Sequence, residues 1–300
     1  NDQVDNLTFR AGTTYIINKA VSAGFQSALS YRNQERRDSR LSKSLSQLPL
    51  GDPYNEDGEI NRNPISDMSN YINILVDDDT NAYRHNTKSM AINVAPFIEL
   101  KPLKGLSLRS MFNASLGTSR DGLFDGLNTY MKLTGSAENK RIATYRTGHS
   151  YSYMWQNVLN YNFHIKNHEF TVTGITEYSN GMSESSVSQN EQFDYDDFLW
   201  YKTDAGQKAY AASSYTGKSK MSYAGRLSYN YLGRYILSAS IRWDGASQLY
   251  NKWNSFPAVS AAWRISDEPF MKSVNEWLDN LKLRIGYGVS GNANIDAYVT

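Results

Sequence analysis

Three hundred residues with 31 basic and 30 acidic side chains carry a formal charge of +1, so nothing in the charge balance points to a nucleic acid or another polyanion as partner. Cysteine is absent, which excludes a disulfide framework, a thiolate metal site and a cysteine nucleophile. Only 40% of residues are hydrophobic and no run of about 18 apolar residues occurs, so a transmembrane helix is excluded, whereas strands that cross a bilayer need apolar residues only at alternate positions.

The opening NDQVDNLTFRAG has no basic segment followed by an apolar one, and the closing NANIDAYVT carries no terminal feature; both ends read as cuts in a longer protein. Between them, alternation of side chains with period two predicts ten strands, at about 6–17, 21–32, 87–100, 105–117, 151–163, 168–179, 220–231, 234–245, 256–266 and 280–290. One face of each is apolar. The first carries Leu7, Phe9, Ala11 and Tyr15, the second Ala23, Phe25, Leu29 and Tyr31, and the fourth Leu106, Leu108, Phe112, Ala114 and Leu116. Further on come Tyr153, Trp155, Leu159, Tyr161 and Phe163, then Leu227 and Tyr229, and then Tyr235, Leu237, Ala239, Ile241 and Trp243. Val259, Ala261 and Trp263 follow, and finally Leu283, Ile285 and Tyr287. The opposite faces carry Arg10, Gln26, Arg32, Arg109, Asn160, Asn162, Arg226, Asn230, Arg242, Asp244, Lys282 and Arg284.

Two proteins share such strands: a soluble sandwich or barrel with its apolar face in the core, and a membrane barrel with its apolar face against lipid. Connection lengths separate them. Short links at 18–20, 101–104, 164–167 and 232–233 alternate with long ones at 33–86, 118–150 and 180–219. Compact soluble domains rarely hold loops of that size, while outer-membrane barrels place short turns on the periplasmic side and long loops outside. In DEPFMKSVNEWLD at 267–279, the spacing of Phe270, Met271, Val274, Trp277 and Leu278 predicts a short amphipathic helix on the periplasmic rim.

Chemistry is sparse. His164 and His168 stand four apart, but across a hairpin turn and without the glutamate of a zinc-protease helix between them. PYNEDGEINRNP at 53–64 has Pro at positions 1 and 12 of a would-be calcium loop and reads as a turn; the acidic runs 76–80 and 194–197 read as solvated loops. EQFDYDDFLWYK at 191–202 gathers Phe193, Tyr195, Phe198, Trp200 and Tyr201 inside a long polar loop, where aromatic faces either stack on a solute or partner, or pin the loop to its neighbours. No nucleophile elbow, phosphate loop or facing carboxylate pair supports catalysis, and no cofactor or metal is expected.

Three blocks in the C-terminal third carry a family resemblance: YAGRLSYNYLGRYILSASIRWDGAS at 223–247, NSFPAVSAAWRISDEPFMK at 254–272 and WLDNLKLRIGYGVSGNANI at 277–295. In content, order and spacing they resemble the SusC/RagA family of TonB-linked outer-membrane transporters. Upstream, PLGDPYNEDGEI at 49–60, FIELKPLKGLSLRSMF at 97–112 and YSYMWQNVLNYN at 151–162 are similar to the family's corresponding segments. Ala246 and Ala258 depart from it, standing where Ser is usual.

The resemblance implies an all-β, antiparallel transmembrane barrel of about 22 strands, filled by an N-terminal plug. Residues 1–300 would be a middle portion of that single barrel domain, without the plug or the TonB box. It implies a multi-pass protein of the Gram-negative outer membrane and import of oligosaccharides or peptides. The implied partners are a SusD-like surface lipoprotein, the TonB complex and outer-membrane lipid. Arg226, Asn230, Arg242, Asp244, Lys282 and Arg284 would then face a wet lumen. A passive porin, a siderophore receptor and a soluble all-β carbohydrate-binding protein are the competing readings.

Overall fold

A computed structural model describes residues 3–37, 44–45, 47–65, 67–68, 70–192, 194, 197–273 and 277–292. Ten strands run in chain order: β1 Gln3–Ile16, β2 Val21–Arg36, β3 Tyr83–Leu103, β4 Leu106–Asp125, β5 Ile142–Ile165, β6 His168–Glu191, β7 Lys208–Tyr231, β8 Tyr235–Ala246, β9 Trp253–Arg264 and β10 Lys282–Gly288. Each pairs antiparallel with its neighbours in sequence, so the sheet is a single meander from β1 to β10. This is a stretch of all-β barrel wall.

Tight turns close one end. Lys104 and Gly105 join β3 to β4, Lys166 and Asn167 join β5 to β6, and Leu232 to Arg234 join β7 to β8. Lys166, Leu232 and Gly233 all take positive φ, of 53°, 55° and 74°, as hairpin turns that match the strands' right-handed twist require. Asn18 closes the β1–β2 link, its Oδ1 accepting from the backbone N–H of Ala20 and Val21 at 2.8 and 2.9 Å. The sequence placed the second and third turns at 101–104 and 164–167; pairing of Leu103 with Leu106 and of Ile165 with His168 carries the strands further, to the tightest turn the chain allows.

At the other end the strands outrun their expected limits by far. β5, β6 and β7 are 24 residues each, against the roughly ten a tilted strand needs to cross a bilayer. Much of 118–150 and 180–219, read as loop, is paired sheet. Beyond the lipid both faces meet water, so the apolar alternation that marks a strand disappears while backbone pairing continues.

Register aligns the apolar residues into one continuous face. Across β1 to β4, Phe9 opposes Leu29, Leu29 opposes Ile92 and Ile92 opposes Leu116; across β7 to β10, Leu227 opposes Ala239, Ala239 opposes Val259 and Val259 opposes Tyr287. These side chains are exposed along the whole sheet, among them Leu7, Phe9, Leu116, Trp155, Leu227, Val259 and Ile285. A soluble protein cannot leave such a face to water, so the soluble reading fails. Near the tight turns the face ends in touching rings: Tyr161, Phe163, Phe170 and Tyr229 follow one another at centroid distances of 4.9 to 5.1 Å, and Tyr231, Tyr235 and Trp263 at 6.2 and 6.4 Å. Farther from the turns, Phe112, Tyr153 and Tyr178 make a second run of rings with successive centroids 6.0 Å apart. An apolar band that ends in an aromatic girdle is the lipid-facing side of a transmembrane barrel.

The stretch expected to be a helix at 267–279 begins instead as two 3-10 turns, Ile265–Asp267 and Pro269–Met271, and Val274 lies outside the described residues. Glu268 organises them. It is buried, and its carboxylate accepts from Trp263 Nε1 at 3.0 Å and from the Tyr235 hydroxyl, with the Arg234 guanidinium 3.5 Å away. A short tie to the girdle replaces an amphipathic face.

Candidate functional site

Period two puts the even-numbered residues of β7, β8 and β10 on the face opposite the apolar one, and Arg226, Asn230, Arg242, Asp244, Lys282 and Arg284 are all even. The structure joins four of them to local partners. Arg242 Nε donates to both carboxylate oxygens of Asp244 at 2.7 and 2.9 Å, and its Nη2 donates to Ser222 Oγ at 3.1 Å. Arg226 Nε donates to Ser238 Oγ at 3.2 Å, and Asn230 Nδ2 to Glu169 Oε2 at 2.8 Å. Lys282 and Arg284, on β10, have no ion pair among the described residues. A chain of charge-assisted bonds therefore holds the polar side chains upright on β7 and β8.

Towards β1 the same face forms an open polar cavity of about 530 Å³, floored by Arg10, Gln26, Asn93 and Asn113. A groove of about 960 Å³ lies across β7–β10, lined by Leu227, Leu237, Val259 and Ile285 of the apolar face. Its lining suits hydrocarbon, not a polar solute.

The loop aromatics separate. Phe193 and Tyr195 lie outside the described residues. Trp200 is 2% exposed and packs with Phe124 and Ala143, flanked by Tyr145 and Leu199. Its indole occupies the space a side chain at Gly122 would need, and the guanidiniums of Arg84 and Arg120 stand 5.7 and 5.4 Å from its ring centre. Gly122, Phe124, Ala143 and Tyr145 are on the register rows of the apolar face, beyond its upper border, so the loop is pinned to the outside of the wall. Phe198 and Tyr201 remain open, at 50% and 69% exposure.

One polar cluster escapes sequence reasoning because Gln34, Asp121 and Arg146 lie in the stretches 33–86 and 118–150 that read as loop, and only Thr87 falls in an expected strand. Gln34 of β2, Thr87 of β3, Asp121 of β4 and Arg146 of β5 oppose one another in sequence across the sheet, on the same face as Arg242. Thr87 Oγ1 donates to Asp121 Oδ2 at 2.8 Å, His85 Nε2 lies 2.7 Å from that oxygen, and Arg32 and Arg36 flank Gln34. Continuing the period-two count past Tyr31 would have found it. His168, by contrast, meets no second histidine: its Nδ1 lies 2.8 Å from the Tyr229 hydroxyl in the lower girdle.

No protein-family model matches the chain. It is 28% identical over 315 aligned residues to a TonB-dependent receptor of Formosa agariphila, an alignment that takes in 99% of this chain and 30% of that receptor. Over 91 residues it is 44% identical to the TonB-dependent receptor SusC of Bacteroides thetaiotaomicron, covering 30% of this chain and 9% of SusC. Among solved structures, the RagAB peptide importer in its open-open state superposes with a TM-score of 0.79 at 18% identity, over 98% of this chain and 33% of that one. A pyoverdine-bound FpvA from P. aeruginosa reaches 0.52 at 14% identity, over 89% and 34%. The chain thus spans about a third of the length of these proteins.

Proposed function

With the chain a portion of the outer-membrane barrel of a TonB-dependent receptor of the SusC/RagA kind, we propose that it walls the conduit of an energised importer of oligosaccharides or peptides. The observation that carries the reading is the two-faced sheet: an unbroken apolar band with an aromatic border on one side, and on the other a face of arginines, asparagines and hydroxyls held by hydrogen bonds. The first face suits lipid and the second a wet lumen. In this reading the plug and the TonB box come from other parts of the receptor, residues 1–300 belong to one barrel domain, and a SusD-like lipoprotein seats over the rim. Its relatives are receptors and transporters, and the chain performs no covalent chemistry: the polar face binds and guides while the inner membrane supplies the energy.

The test is accumulation. Cells carrying the complete receptor should take up a labelled oligosaccharide or peptide, and removal of the TonB box should abolish uptake. A stoichiometric lipoprotein should co-purify from outer membranes in mild detergent. Uptake that persists without TonB would make the protein a passive porin. Uptake confined to ferric chelates would make it a siderophore receptor.

A further inference from the structure

We propose that the polar face of β2–β5, above the lipid-crossing band, is an anion-recognition site that selects oligomeric solutes bearing carboxylate or sulfate groups; this rests on the import reading above. Arg32 and Arg36 stand on either side of Gln34, and an Nη2 of each donates to the same uncharged amide oxygen, at 3.0 and 3.3 Å. Two cations converging on one neutral acceptor repel each other, and among the described residues neither has a carboxylate within ion-pair distance. Arg146, three strands away, is likewise exposed and has no carboxylate within ion-pair distance among the described residues, although its charge acts on Asp121 across the sheet.

The single carboxylate in this group, Asp121, is already engaged by His85 at 2.7 Å and Thr87 at 2.8 Å. Three guanidiniums therefore face one occupied acid. A planar guanidinium with free N–H groups matches carboxylate and sulfate oxygens two at a time, and an arriving anion would relieve the repulsion between Arg32 and Arg36. Three strand spacings separate that pair from Arg146, about 14 Å along the sheet. A single small ion cannot touch both ends, whereas an oligomer with repeated acidic groups can.

The experiment is calorimetric titration of the complete receptor, purified from outer membranes, with four probes: an oligogalacturonate, a sulfated oligosaccharide, an oligoglutamate and a neutral malto-oligosaccharide. At least one anionic probe should bind more tightly than the neutral one, more weakly as salt rises, and about tenfold more weakly in each of R32Q, R36Q and R146Q. The probe that binds identifies the source of the acidic groups. Arg→Lys variants should keep part of the affinity, and heat-modifiable gel mobility checks that every variant is folded. Equal or tighter binding of the neutral oligomer, no binding by any anionic probe, or wild-type affinity in the triple Arg→Gln variant would overturn the proposal. TonB-dependent uptake of a neutral oligomer would remove this inference and keep the import reading; loss of all TonB-dependent uptake would remove both.

Discussion

Trp200 shows how one side chain makes a loop part of the wall. Its indole fills the hollow over Gly122 and lies against Phe124 and Ala143. Trp200→Ala in the complete receptor should cost about 3–5 kcal/mol of local docking energy. The expected outcome is new proteolytic cleavage within 192–207, with the heat-modifiable barrel band unchanged. Gly122→Val should reproduce that pattern by occupying the indole's place. Glu268 ties the periplasmic rim in a different way. Hydrogen bonds from the Tyr235 hydroxyl and Trp263 Nε1 hold its carboxyl below the usual carboxylate value of 4.5, and the Arg234 charge adds to them. A depressed folded-state value means that the contribution is complete above the ordinary value and is lost as pH falls through the depressed one. Melting temperatures of wild type and Glu268→Gln should therefore differ at neutral pH and converge in acid below 4.5; a constant difference across that range would sink the assignment.

A strand in this sheet is defined by what each face touches. Ala239→Arg puts a cation on the lipid side of β8 and should destabilise the receptor by about 2–4 kcal/mol, while Ser240→Gln, one place along and opposite Arg226 on the wet face, should be nearly neutral. Chemical unfolding of the receptor in lipid vesicles would read both. The same logic explains what the sequence disclosed. All ten strands were legible where lipid demands alternation, because Leu7, Phe9, Leu116 and Leu227 leave no other reading of their neighbours. The outer ends of β4 to β7 and the first four residues of β3 were not, since His85, Asp121 and Arg146 lie in segments where polar residues interrupt the alternation. The helix expected around Phe270 and Met271 failed for a related reason: Pro269 and the buried Glu268 favour a tight turn bound to the girdle, and spacing alone does not report that. Among the loop aromatics, composition could not tell the buried Trp200 from the exposed Tyr201.

At the scale of the molecule, a formal charge of +1 conceals a sorting of charge by place. The Asp77–Asp79 run lies in the long β2–β3 connection, while Arg10, Arg32, Arg36, Arg109, Arg146, Arg226, Arg242 and Arg284 occupy the polar face of the sheet and outnumber the carboxylates Glu99, Asp121, Glu169, Glu177 and Asp244 that share it with them. A neutral chain can thus present a basic passage. Height has its own consequence. Strands of 24 residues run about 80 Å, or about 60 Å along the membrane normal at a barrel's usual tilt, and a lipid band of about 25 Å leaves some 35 Å of sheet standing outside. The wall is therefore a ruler. In the proposed import reading, a lipid-anchored partner seated on its rim would be held that far from the bilayer in which its anchor sits, and its tether would have to span the gap with at least about ten extended residues. Shortening the tether below that length, with the partner's folded domain untouched, should abolish co-purification with the receptor, and restoring it with residues of any flexible sequence should bring the complex back.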